Sequence, residues 1–334
     1  MKRLACKLLA VSLALLGVTC TPRTLEGADL ARLEELVAQV DQERLMRHVD
    51  ELVKAHLEDT PLPCSVWDDE HFPALCSLTR DRAGQMMVDS LGSHGLKVSR
   101  QIAEGGGWSS SNVIAELPGV SKPEEVVLVG AHFDAYFGGA DDNSSGVAAV
   151  LELARVLSQY RFDRTVRFVG FDLEEVGLVG SNRYVDTLGG ERLVASVVFD
   201  CIGYYDSRPG SQGSLPGLPA PNTGDFLAAF ANEDSRQQAT DLYALSQALH
   251  LINVVPVVSP GRGAYPLTGN LLRSDHAPFW FTGRNALFLT DTANFRNPNY
   301  HWESDLPPTL DPVSFRKAVQ VSAAALAYWA GGPR

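Results

Sequence analysis

Val126-Val127-Leu128-Val129-Gly130-Ala131-His132-Phe133-Asp134 decides the fold, because an uncharged apolar run stops abruptly in an imidazole and a carboxylate. A run of that length, spanning Glu125 to Ala131, reads as a strand buried on both faces. Working outward, the same pattern recurs twice. Thr165 to Phe171 ends in Asp172-Leu173-Glu174-Glu175, and Val194 to Phe199 ends in Asp200. Asn112 to Glu116 and Ala286 to Thr290 are two further short apolar runs. Between the strands lie helical segments, notably Gly146 to Tyr160 with Val147, Val150, Leu151, Leu153 and Leu157 on one stripe. Strand alternating with helix predicts an α/β fold, three layers deep (α/β/α), with a central, mostly parallel mixed sheet.

Further from this centre the signals change. Lys2, Arg3 and Lys7 precede the apolar run Leu8 to Val18, which is too short to cross a bilayer as a helix. Residues 1–20 therefore read as a signal peptide, and the chain is expected to be exported: periplasmic, extracellular or lipid-anchored in the cell envelope. Cys20 stands where a bacterial lipoprotein carries its lipid, which would attach the chain to a membrane. The preceding Gly17-Val18-Thr19 departs from that signal, so ordinary cleavage stays open beside lipidation. Residues 21–79 are expected to form an N-terminal helical segment and loop packed on the domain. Two helices fit residues 27–60, through Leu30, Leu33, Leu36, Val37 and Val40, then Leu45, Val49, Leu52 and Val53. A third helix fits residues 80–95, with Met86, Met87, Val88 and Leu91 on its apolar side, and the main domain is expected over 80–334. The segment 205–224, rich in Pro, Gly and Ser, reads as a long loop. In an oxidising compartment Cys64 and Cys76 would pair, leaving Cys201 as a lone buried thiol.

The chain has 334 residues, and its 40 Asp and Glu against 28 Lys and Arg give a net charge of -12. A nucleic-acid partner is not expected, since phosphate binding needs a basic face. In sheets of this kind ligands sit beyond the carboxyl ends of the strands, which is where the acids gather. His132 and Asp134, two apart on extended chain, point the same way, so Asp134 can orient a metal-binding His132. The stretch Gly138-Gly139-Ala140-Asp141-Asp142-Asn143-Ser144-Ser145-Gly146 is a glycine-flanked acidic turn that opens a helix. Two unit charges about 4 Å apart repel by roughly 4 kcal/mol at an effective dielectric near 20. Several carboxylates at one sheet end therefore call for cations, and a mixed His, Asp and Glu set suits zinc. Each residue taken alone has a plainer reading. A single buried histidine is commonly a packed core residue, Asp141 suits a helix N-terminus, and His301 between Tyr300 and Trp302 has the setting of simple packing. The triplet Ser274-Asp275-His276 cannot form a serine-hydrolase relay, because adjacent side chains point apart.

Together these motifs resemble the di-zinc aminopeptidases, a family that includes bacterial leucyl-type aminopeptidases, glutamate carboxypeptidase II and the glutaminyl cyclases. The likeness covers about residue 80 to the C-terminus. It rests on His132-Phe133-Asp134, Gly139 to Gly146, Glu174-Glu175 before Gly180-Ser181, Asp200, Ser274-Asp275-His276 and Tyr300-His301, in that order. The stretches Ile202 to Gln212 and Thr290 to His301 look like one bacterial branch. The resemblance implies a zinc exopeptidase-like fold and two zinc ions per chain. Asp142 would bridge them, His132 and Asp200 would complete one site, and Glu175 and His301 the other. It further implies Asp134 orienting His132, Glu174 as general base for a water activated by the metals, and removal of N-terminal residues from a peptide substrate. Tyr265 and Ser274 are the candidates for holding the substrate carbonyl. A glutaminyl cyclase on the same fold, or a non-catalytic binding ectodomain, are the alternatives. Carboxypeptidase action on acidic peptides would need a basic pocket, for which Arg262, Arg273 and Arg296 are the nearby cations.

Overall fold

The computed structural model describes residues 27–57, 72–214, 221–261 and 269–334. Residues 1–20 with Cys20, the expected Cys64–Cys76 pairing, Arg262 and Tyr265 lie outside the described residues. Among those described, eight strands form one sheet: β1 (Lys97–Gly105), β2 (Trp108–Leu117), β3 (Lys122–His132), β4 (Arg164–Phe171), β5 (Arg192–Phe199), β6 (Phe226–Ala231), β7 (Asn253–Val258) and β8 (Leu287–Thr290). Their order is β1-β2-β4-β3-β5-β8-β6-β7. The centre, β4-β3-β5-β8, is parallel throughout. β2 joins it antiparallel on one side, and β6 joins β8 antiparallel on the other. This is the mixed α/β sheet expected from the alternating runs.

Side-chain alternation along β3 explains the three layers. Val127, Val129 and Ala131 belong to one hydrophobic cluster and Leu128 to a second, on the opposite face. The first cluster takes in α1 (Gly27–Ala38), α2 (Gln42–Leu57), α3 (Phe72–Ser93), α4 (Gly146–Leu157), α6 (Arg236–Ala248) and α8 (Pro312–Trp329). The second takes in α5 (Val179–Thr187) and α7 (Ala277–Phe281). Helix α8 starts on a strong local signal: Asp311 accepts the N–H groups of Val313 and Ser314, with Pro312 in the first turn.

Helices α1 and α2 are the two expected over 27–60. Helix α3 begins at Phe72, earlier than the apolar stripe near 80 indicates, so it runs across that boundary. Pro73, second in the helix, lacks an N–H only where none would be bonded. Gly95 ends the turn after α3 at φ 75°, a conformation glycine adopts without steric cost. Strands β1, β6 and β7 fall outside the sequence expectation. β1 is half exposed and polar, while Phe226 to Ala231 of β6 is buried at every position and carries no alternation.

Register sets the site. Ala131 of β3 lies opposite Gly170 of β4 and Phe199 of β5, so three parallel strands end level with one another. Everything that follows them in the chain emerges at one edge.

Candidate metal centre

His132 closes β3, Glu174 and Glu175 follow β4, and Asp200 follows β5. Between β3 and α4 the acidic turn brings in Asp142. Gly139 stands there at φ 55°, and a Cβ on it would lie 2.4 Å from the Asp142 carbonyl oxygen. Asn143 fastens the turn to the end of β5. Its Nδ2 donates to the Phe199 carbonyl at 2.9 Å, and its Oδ1 accepts from the Gly146 N–H at 3.1 Å. The five residues expected as metal ligands converge. Asp142 Oδ1 lies 3.3 Å from His132 Nε2, and Asp142 Oδ2 lies 2.8 Å from His301 Nε2. Asp200 Oδ2 is 3.8 Å from His132 Nε2, and Glu175 Oε2 is 3.3 Å from His301 Nε2. Two trios result, His132–Asp142–Asp200 and Asp142–Glu175–His301, each with its donor atoms within 4.8 Å of one another. Glu174 joins His132 and Glu175 in a third such group.

Neighbouring groups hold these side chains. His132 Nδ1 lies 3.0 Å from the backbone carbonyl of Asp134, which can only accept, so Nδ1 carries a proton and Nε2 is the nitrogen turned to the carboxylates, free to bind metal once its own proton leaves. The Asp134 carboxylate, 3.5 Å from the same nitrogen, has a second task. Its two oxygens accept the N–H groups of Glu174 at 3.0 Å and Glu175 at 3.1 Å, which fixes that turn. Asp305 performs the matching task for Asp142: its oxygens accept the N–H of Asp141 at 3.0 Å and of Asp142 at 3.1 Å. Asp305 is a residue the sequence reading misses, since nothing in its spacing from His301 signals a contact with residue 142. His56 of α2 is another, with its ring nitrogens each 3.1 Å from a carbonyl oxygen, of Gly138 and of Phe133. Leu173, Cys201, Thr292, Ala293 and His301 have positive φ values, beside the ends of β4, β5 and β8 or within the site itself. Such backbone is costly for non-glycine residues and gathers at functional sites.

The electrostatics are those of a site short of positive charge. Asp134, Asp142, Glu174, Asp200 and Asp275 are all buried, together with the Glu175 side chain, against two histidines. Burial, with the neighbouring acids, lifts the Glu174 carboxyl well above its usual range despite the pull of His132. Burial and Asp142 together push Glu175 up to about 8. Burial alone would lower His132 and His301. Hydrogen bonding to Asp134, Asp142 and Asp200 outweighs it for the first, raising it well above the usual imidazole value, and Asp142 and Glu175 raise the second to about 10. Asp142 is held below the ordinary carboxylate range, because the two histidines overcome the cost of its burial.

These residues fit divalent metal. His132 Nε2 and His301 Nε2 both point at the shared Asp142 carboxylate, and Glu175 Oε1 is buried without a hydrogen-bond partner. An orphaned acceptor and excess buried carboxylate are both costly unless a cation satisfies them. A mixed nitrogen and oxygen set in two adjoining trios is the donor chemistry of zinc.

Beside Asp200 a shallow, open cleft is floored by Phe230, Leu271, Phe288 and Phe295. Ser274 is fully buried and does not line it; Arg273, the residue before, does. The expectation that Ser274 touches substrate is corrected accordingly: its turn faces the hydroxyl inward, without a partner. Arg296 is also buried, its guanidinium 4.4 Å over the Phe226 ring, so it offers no charge to the cleft. Cys201 is the buried free thiol expected. Part of the 205–224 loop is latched to the cleft wall, where Gln212 Nε2 donates to Thr292 Oγ1 at 2.9 Å.

Comparison with known proteins agrees with this arrangement. The uncharacterized protein YfbL of Escherichia coli K12 is 30% identical over 258 residues, covering 72% of this chain and 77% of YfbL. Among solved structures, the LapA aminopeptidase of Legionella pneumophila superposes with a TM-score of 0.66 over 93% of this chain and 77% of its own, at 17% identity. BSAP, a zinc aminopeptidase from Bacillus subtilis, gives 0.53 at 24% identity, over 68% of this chain and 52% of that one. Both share the fold. Residues 112–326, from β2 into α8 and including every candidate ligand, match peptidase family M28, a family of peptide hydrolases, and the chain belongs to it.

Proposed function

We propose that this peptidase is an aminopeptidase working through two zinc ions. Asp142 would bridge them, with His132 and Asp200 completing one site and Glu175 and His301 the other. The observation that carries the reading is the pair of Asp142 oxygens, each facing a different histidine, with a further acid beside each. Zinc bound there would supply Lewis acidity, polarising the scissile carbonyl and acidifying the attacking water. Glu174 does the proton work. Its carboxyl is buried beside both trios, and burial with the neighbouring acids raises it well above the usual carboxylate range, which strengthens it as a proton acceptor. It accepts the proton of the attacking water and delivers it to the leaving amine. Asp134 keeps Glu174 in place through the backbone. The buried acids give the pocket an anionic end that receives the substrate's α-ammonium group, which favours a free N-terminus over an internal bond. The presence of both complete trios supports this choice over the cyclase and non-catalytic alternatives.

The test compares leucine amide with N-acetyl-leucine amide before and after chelation. Hydrolysis of the free-amine substrate alone, lost on chelation and restored by zinc at two ions per chain, is the expected result. Preference for the blocked substrate, or activity indifferent to chelator, rejects the reading. We extend the proposal to export on the strength of Lys2, Arg3, Lys7 and the apolar run Leu8 to Val18. Mass analysis of the mature N-terminus decides between lipidation of Cys20 and plain cleavage, and an intact Met1 in the mature enzyme rejects both.

A further inference from the structure

Arg273 sits at the rim of the cleft beside Asp200, and it is held there. Its Nη1 donates to Asn294 Oδ1 at 3.0 Å and its Nη2 to the Tyr300 hydroxyl at 3.2 Å. The guanidinium carbon lies 5.9 Å from the centre of the Tyr300 ring, which in turn stacks on His301 with centroids 3.8 Å apart and planes 15° from parallel. Both groups that hold the cation are neutral, so neither cancels its charge. Arg296 differs: it is buried between aromatic rings and drawn to Asp291. The cleft therefore has an apolar floor of Phe230, Leu271, Phe288 and Phe295 and a fixed positive charge at its mouth.

We propose that Arg273 makes this cleft a charge filter for the side chain of the substrate's N-terminal residue. The inference rests on the aminopeptidase reading and names the substrate class of the same site. The stem of a long side chain lies on the aromatic floor, and its end meets the guanidinium. An oxygen acceptor there, as in Glu or Gln, gains a charge-assisted hydrogen bond. An ammonium or guanidinium, as in Lys or Arg, is repelled. Attraction and repulsion at a solvent-exposed charge are each worth roughly two- to fivefold, so Glu is preferred to Lys by about tenfold. Added salt shrinks that ratio, because the rim is open to solvent.

The experiment measures kcat/KM for N-terminal Glu, Gln, Leu and Lys substrates sharing one leaving group, with zinc-loaded wild type, Arg273→Met and Arg273→Glu. Wild type is expected to prefer Glu over Lys by about tenfold, with the difference carried by KM. Arg273→Met brings the ratio near one, and Arg273→Glu reverses it. In wild type the ratio falls as salt rises. Because each ratio is internal to one variant, a general loss of activity does not imitate the result. Efficient cleavage of Leu and Gln substrates with the same Glu-to-Lys ratio in wild type and Arg273→Met overturns the filter alone. Failure of wild type to cleave any of the four overturns the aminopeptidase reading, and the filter with it.

Discussion

The two trios share Asp142 but live in different surroundings. In the trio of His132, Asp142 and Asp200 the side chains are 1%, 4% and 10% exposed, and each follows or closes a structured element at the sheet edge. In the trio of Asp142, Glu175 and His301 the histidine side chain is 33% exposed and follows no strand; it comes from the long connection between β8 and α8. The first trio is built at the strand ends and is almost wholly buried, with Asp200 in the wall of the cleft. The second is built half by the sheet and half by a loop, and its histidine is partly open to solvent. That asymmetry makes the first an inner trio fixed by the scaffold and the second an outer trio whose histidine rides on a loop.

The largest effect should come from the residue that makes the comparison necessary. Replacing Asp142 by Ala removes a donor from both trios and leaves His132 and His301 facing acids with no shared partner. Zinc content by elemental analysis should fall below one ion per chain, with hydrolysis of leucine amide down at least about 10³-fold. Retention of one full equivalent would break the picture of a shared bridge and leave two independent sites. Glu174→Gln comes next. It keeps shape and removes the base, so turnover should drop roughly 10²- to 10⁴-fold while two zinc ions stay bound. Loss of zinc in that variant would make Glu174 a ligand, consistent with its place in the third group of donors.

The same contrast governs what can be read from the sequence. His132 and Asp200 are legible because apolar runs buried on both faces stop at them, and a charge at the end of such a run needs a reason. Asp142 is legible as part of a glycine-flanked acidic turn, the family likeness sets it apart from Asp141, and the fold places it against the histidines. Asp141 instead accepts the Gly203 N–H at 2.8 Å and the Asn297 amide at 2.7 Å, tying loops together beneath the site. His301 has no periodic context, and only its likeness to a family motif singles it out. Ser274 misleads for the opposite reason. Its triplet looks chemical, but whether a hydroxyl faces a cleft or a core is set by how the α7 turn packs, which no local pattern encodes. β6 escapes because a fully buried strand of Phe, Leu and Ala has no period to distinguish it from a buried helix.

Asp305 tests whether the outer loop also supports the shared bridge. It lies four residues beyond His301 yet clamps the backbone N–H of Asp142, so ligand and clamp arrive on one connection. Asp305→Asn should weaken zinc binding about 10- to 100-fold, the usual range for a group that orients a ligand. Fluorescent-chelator competition would read it. A change confined to the inner ion would uncouple the clamp from the loop that carries it.

The smallest effect is a proton count, and it separates the trios most directly. Without metal, His132 is raised well above the usual imidazole value, His301 reaches about 10 and Glu175 about 8. At pH 7 all three therefore hold protons that zinc must displace. Binding at the inner trio should release about one proton, from His132, and binding at the outer trio about two, from His301 and Glu175. The sign follows: affinity rises with pH at both sites, and more steeply at the outer one. Above about pH 8 Glu175 has already lost its proton, so the outer slope falls toward that of the inner site. Calorimetric titration with zinc in buffers of different ionisation enthalpy, run below and above that pH, counts the protons directly. Equal counts in both binding phases at pH 7 would mean that exposure of His301 to water, rather than its pairing with Glu175 and Asp142, sets the chemistry of the outer site.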